Sequence, residues 1–164
     1  CESDAAAWHD RLEGTNINQN TLLATDYLNH FNEVVMMMEM IPDMPDCMED
    51  VAEWAPKTYK QHFADSFFSD KDLAIEAYDF APSVLRDHFE TTVGQANRLV
   101  ELSVERLTKA IEDGDDELLK RVAERASRNL KKLVEVAGAV INGSTDVINQ
   151  VEVDDMFAPV NLSF

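Results

Sequence analysis

The stretch Pro82–Gly114, PSVLRDHFETTVGQANRLVELSVERLTKAIEDG, decides the fold class. Leu85, Phe89, Val93, Ala96, Val100, Leu107 and Ile111 mark one stripe at helical spacing, with Leu99, Val104 and Ala110 beside it. Pro82 suits the first turn of a helix. Nothing breaks the pattern until Gly114, which stands where a C-terminal glycine cap belongs. Asp115 can cap a second apolar series: Leu118, Leu119, Val122, Ala126, Leu130, Leu133, Val134, Ala137, Val140 and Ile141, ending at Asn142–Gly143. Two long helices with a tight turn predict an antiparallel hairpin over 82–143. Such a hairpin buries only one face by itself. Another helix of the chain or a second copy must cover it, and either completes a four-helix bundle. The expected fold class is all-α, of four-helix-bundle type, and the expected assembly is a homodimer.

Outward from the hairpin, Leu22, Leu23, Tyr27, Leu28, Phe31, Val34, Val35 and Met38 predict a helix over 21–40. Asn20 is its expected cap, and Pro42 and Pro45 its stop. Residues 46–81 read as a cap of short helices, over about 46–54, 58–64 and 71–80, with Ser69 and Asp72 marking the start of the last. Residues 1–20, with the polar run GTNINQN over 14–20, are expected to be loosely ordered. Gly143-Ser144-Thr145 reads as a linker. It leads to a short amphipathic segment, Gln150–Phe157 (QVEVDDMF), which reads equally as a helix-in-groove peptide or as a tail that folds back onto the bundle. The expected organisation is a loose segment 1–20, a bundle domain 21–143, and a linker with a flexible tail over 144–164.

The chain has 164 residues and a formal net charge of −18. That balance excludes a phosphate-binding stripe for nucleic acid and docking on anionic membranes. No apolar run approaches the length that crosses a bilayer. The charge is uneven. Residues 1–81 hold 17 acids and 4 bases, residues 82–143 hold 11 and 10, and residues 144–164 hold 4 and none. Cys1 and Cys47 are too sparse for a disulfide framework, so a reducing, cytoplasmic setting is the simpler expectation. Cys1 is also a conceivable point of lipidation, with no signal segment beside it.

Soft ligands gather in one place: Met36, Met37, Met38, Met40, Met44 and Met48 with Cys47. Thioethers and thiolate suit Cu(I), but Pro42 and Pro45 interrupt any single ladder, and adaptable packing explains the methionines as well. None of His9, His30, His62 and His88 has a glutamate three residues earlier, as a di-iron bundle requires. Asp26, His30 and Glu33 could share a helix face, and so could His62 and Asp65, without matching a ligand pattern. No metal site is expected.

Phe89–Gln95 (FETTVGQ) places Gly94 inside a long helix, where glycine costs about 1 kcal/mol relative to alanine. Such a glycine permits a close approach by another chain segment. Thr91 and Gln95 are four apart and share one stripe. An amide held there on a rigid helix can orient a water molecule, while the plain alternative is ordinary packing with a surface glutamine.

This stretch resembles the motif of CheZ-type chemotaxis phosphatases, Phe-Gln-Asp-x-Thr-Gly-Gln on a long bundle helix. That family also ends in a tethered acidic amphipathic helix that binds the response regulator CheY. The tail from Gln150 through Val153-Asp154-Asp155-Met156-Phe157 to Phe164 is similar to that ending. It is also similar to a CheY-binding peptide type of a flagellar switch protein. The resemblance implies that Gln95 positions water in line with the receiver's aspartyl phosphate, with Glu90 and Thr91 beside it. In phosphoryl transfer to water, positioning and charge stabilisation supply most of the catalysis. It further implies that Val153, Asp154, Asp155, Met156 and Phe157 form the docking peptide for a CheY-like receiver. No cofactor is implied for this chain, since the Mg²⁺ belongs to the receiver. Thr91 stands where the family has an acid, and the motif lies on the first helix of the hairpin rather than the second. Two other readings follow from the same residues: a non-catalytic signalling adaptor, and a ligand- or metal-sensing bundle using the methionine-rich segment.

Overall fold

The structure, a computed structural model, describes residues 2–145 and 148–160. The chain is all-α, with no strand among the described residues. Its α-helices are α1 (Glu2–Arg11), α2 (Asn29–Met40), α3 (Met48–Glu53), α4 (Tyr59–Asp65), α5 (Lys71–Tyr78), α6 (Ser83–Glu112), α7 (Asp116–Ile141) and α8 (Gln150–Phe157). Turns of 3-10 helix at Thr25–Leu28 and Pro45–Cys47 lead into α2 and α3. Cys1 and Phe164 lie outside the described residues.

The residues group into two compact units. The first takes in the chain up to His30, Lys57–Thr92 and the stretch from Glu135. The second takes in Phe31–Pro56, Val93–Val134 and the stretch from Ile148. Helices α6 and α7 each contribute one portion to either unit.

Glycine stops both long helices by the same device. Gly114 has φ +66°, its N–H donates to Ile111 O and the N–H of Asp115 donates to Ala110 O. Gly143 has φ +102°, its N–H donates to Val140 O and that of Ser144 to Ala139 O. These paired bonds satisfy terminal carbonyls that the helix leaves unpaired, in a left-handed conformation that glycine adopts without strain. Asp115 caps α7 as expected, its Oδ1 accepting from the N–H of Leu118 at 3.0 Å.

The first unit is built on aromatic rings. Tyr27 is fully buried, and its ring meets those of Tyr59, Phe89 and His62 at 5.5–5.6 Å between centroids. Its hydroxyl donates to Lys57 O at 2.6 Å. Tyr59 stacks on Tyr78 at 4.6 Å and accepts from the backbone N–H of Ala24 at 2.8 Å. Each hydroxyl therefore satisfies a backbone group that has no helical partner. Thr58 and Gln61 form a capping box that starts α4.

Two expectations change here. The segment expected to be loosely ordered holds α1 over Glu2–Arg11, and within it Trp8, Leu12 and Ile17 are buried. Trp8 packs on Phe80 at 5.3 Å, with the Arg11 guanidinium over its ring at 4.1 Å and bonded to Glu76. A lone Trp and Leu among polar residues carry no helical period, so the sequence pattern missed them. The helix expected over 21–40 starts only at Asn29. Asn18 Oδ1 accepts from the N–H groups of Asn20 and Thr21, and Leu22 takes a left-handed φ of +63°. Thr21 Oγ1 donates to Ile141 O at 2.6 Å, so this turn closes the end of α7 instead of opening a helix.

In the second unit Phe31 meets Trp54 at 5.7 Å, Lys131 pairs with Glu39, and Met38 is fully buried while Met36, Met40 and Met44 are exposed. For Met36, Met38 and Met40 that split is the ordinary two-sidedness of α2, while Met44 lies beyond its end.

The chain has three tyrosines, and burial pushes all of them up: Tyr27 to about 12, and Tyr59 and Tyr78 higher still, Tyr78 also through its bond to Glu90. Their folded pKa values lie above the unfolded value, so the stability they contribute is complete below about pH 10 and is lost as pH rises through the folded values. The folded protein at pH 10.5 is expected to show almost no tyrosinate absorbance at 295 nm. Urea at the same pH should release it from all three; full absorbance before unfolding would contradict the burial.

Candidate functional site

Helix α6 carries all three residues of the proposed water-positioning group, and their environments differ. Gln95 is half-buried, and its Oε1 is shielded from solvent with no hydrogen-bond partner among the described residues. The same holds for Asn97 Oδ1. A glutamine that orients a water inside another protein needs that oxygen free at the surface. Glu90 accepts from the Tyr78 hydroxyl, so its carboxylate already holds a partner. Thr91 is exposed, and on α6 it lies one turn before Gln95. Gly94 makes no close approach: a Cβ there would meet only Arg98 Nη1, at 3.5 Å. The glycine is therefore not explained by packing within this chain.

The segment Gln150–Phe157, expected to belong to a flexible tail, instead forms α8 with one face packed, because Val153 and Met156 find apolar cover. Asn149 caps it, its Oδ1 accepting from the N–H of Glu152 at 2.9 Å. One face is buried through Val153 and Met156, and the other leaves Val151, Glu152, Asp154 and Asp155 exposed. Met156 and Val160 close against Leu99 and Ser103 of α6 and Val122 and Ala126 of α7, leaving a cavity of only about 10 Å³. Phe157 is half-buried.

Two arginines hold the C-terminal end of α8. Arg106 donates to Phe157 O at 2.7 Å and to Ala158 O at 3.0 Å, and Arg125 donates to Asp155 O. The last carbonyls of a helix lack intrahelical donors and carry the negative end of its dipole, so guanidinium groups suit them on both counts. These acceptors are carbonyls and not carboxylates. Burial and the neighbouring Arg125 charge accordingly lower the pKa of Arg106. A second, open cavity of about 390 Å³ adjoins, lined by Arg121, Arg125, Arg128, Glu124, Pro159 and Val160. Its arginines recur at i, i+4 and i+7 on one face of α7. The sequence held that spacing in view. What it lacked was the pairing of Arg106 with Arg125, because those residues lie on different helices.

Elsewhere, His62 Nε2 lies 3.1 Å from Asp26 Oδ2, and the His62 ring lies 6.3 Å from that of His30. Among the described residues no group of three or more His, Cys, Asp and Glu side chains is arranged to hold a metal ion. No helix among them is long and apolar enough to cross a membrane. No family model, curated protein or solved structure matches this chain.

Two substitutions test these assignments. Gly94→Ala is expected to stabilise the chain by about 0.5–1 kcal/mol, since the new methyl group meets ordinary contact in a helix interior. Denaturant melting checks it, and destabilisation would mean that a neighbour approaches closely. Arg106→Gln removes charge-assisted bonds worth about 1.5–3 kcal/mol each. Amide hydrogen exchange over 150–158 should accelerate by about tenfold or more, while α4 and α5 keep their protection.

Proposed function

We propose that this chain is a non-catalytic signalling adaptor that binds a CheY-like receiver through α8. The observation that carries this reading is the form of α8. It is a capped acidic helix whose outward face offers Val151, Glu152, Asp154 and Asp155. An acidic face on a short tethered helix suits a basic patch on a partner, and steers association when the rest of the chain is also negative. The resemblance to CheZ-type proteins supplies the partner class. The shielded oxygen of Gln95, the engaged Glu90 and the threonine at position 91 favour binding without hydrolysis over a phosphatase. As an adaptor the chain needs no metal of its own, and the receiver brings its Mg²⁺.

Titration of the full chain against a receiver with and without beryllofluoride tests this. Binding is expected to strengthen in the activated form and to weaken by about tenfold in Asp154→Lys with Asp155→Lys. The lifetime of the phosphorylated receiver should not change on adding the chain. Faster dephosphorylation that Gln95→Ala abolishes would replace the adaptor by a phosphatase. Equal, absent binding in both receiver forms would overturn the receiver as partner.

A further inference from the structure

A groove of about 510 Å³ lies within the second unit, away from any residue of α8. Val100 is buried and Val104 half-buried at its base on α6, and Trp54 and Pro56, after α3, form its apolar side. Glu101 and Glu105, exposed and one helical turn apart, line it from α6. Neither carboxylate has an ion pair among the described residues.

The segment that supplies the apolar side is charged in one sense only. Phe31–Pro56 contains Glu33, Glu39, Asp43, Asp46, Glu49, Asp50 and Glu53 and no Lys or Arg. Of these acids Glu39 is paired, with Lys131. The same segment exposes Met36, Met40 and Met44 at 63%, 44% and 54%. Methionine is flexible and polarisable, and surfaces that use it adapt to varied apolar faces.

We propose that this groove is a docking site for a basic amphipathic helix of a partner protein. The occupant's apolar side chains would lie on Trp54, Val100 and Val104, and its Lys or Arg side chains would reach Glu101 and Glu105. Charge complementarity selects this occupant. The all-acidic segment attracts cations over a distance set by salt and raises the rate of encounter. The apolar base then supplies the affinity that exposed charges alone do not. A second copy of the chain is a poorer fit, because each copy carries −18. This site does not depend on the receiver reading: it uses neither α8 nor its arginines.

The test uses the full chain and a short synthetic peptide of Leu and Lys patterned as an amphipathic helix, with a scrambled peptide of equal charge as control. Binding is read by fluorescence anisotropy of labelled peptide, and the site by amide chemical shifts. The patterned peptide is expected to bind more tightly than the scrambled one and to move the amides of 52–55 and 100–105. Glu101→Lys with Glu105→Lys should weaken binding by about tenfold, against less than about twofold for Asp10→Lys in α1 with Glu13→Lys just after it. Circular dichroism checks that each variant folds. Equal weakening by both pairs, equal binding of both peptides or shifts confined to other residues would overturn the proposal. So would an absence of binding, or self-association of the chain in place of capture. Loss of receiver binding, with this pattern intact, would leave the groove standing.

Discussion

Two long helices with continuous apolar stripes set the constraint from which the remaining structure follows. A stripe that runs the length of α6 must be covered over its whole length, and no single short element is long enough. The chain answers with different material in each unit. In the first, Phe89 meets the rings of Tyr27 and Tyr59. In the second, Leu99 lies against Met156 and its neighbours, while Val100 and Val104 line the groove beside Trp54. Apolar burial is non-directional, so it fixes only that the stripe be covered. The polar bonds of the covering elements then select where each one sits.

Those polar bonds are mostly between a side chain and an orphaned backbone group. The Tyr59 hydroxyl meets the N–H of Ala24, the Tyr27 hydroxyl meets Lys57 O, Thr21 meets Ile141 O, and Arg106 meets Phe157 O. Each joins a helix end or irregular segment to another element. A buried backbone group left unpaired there would cost about 1–3 kcal/mol, more than the roughly 1 kcal/mol net that a made bond contributes, which gives the arrangement its specificity. The same logic explains α8. Its two buried apolar residues are a modest anchor, and the arginines at its end add direction to the contact.

The candidate sites show how far sequence patterns reach. The bounds of α8 and its amphipathic character were legible, because a cap and a short period are local properties. So was the stop at Gly114, where the turn needs a positive φ. The surroundings of Gln95 were not. Register on α6 places it near Thr91, but whether its oxygen is open or shielded depends on what packs beside it. Glu90 reads as a free surface acid until Tyr78, twelve residues earlier, is brought to it. The seat of α8 joins Arg106 to Arg125, which no spacing rule connects. The groove beside Trp54 likewise brings Glu101 and Glu105 of α6 next to an acidic segment that no local pattern connects to them.

By itself the sequence determined the all-α class, the spans of α6, α7 and α8, and the glycine stops, since periodicity, capping and backbone freedom act within a few residues. It also determined the net charge and its uneven spread. Tertiary structure alone decided that residues 2–11 form a helix that buries its own Trp8, that the turn at Asn18–Leu22 closes α7, and that α8 rests on an arginine pair. Each of those depends on residues distant in sequence whose meeting costs chain entropy. That cost is offset only once the apolar stripes are covered, so no local pattern announces it.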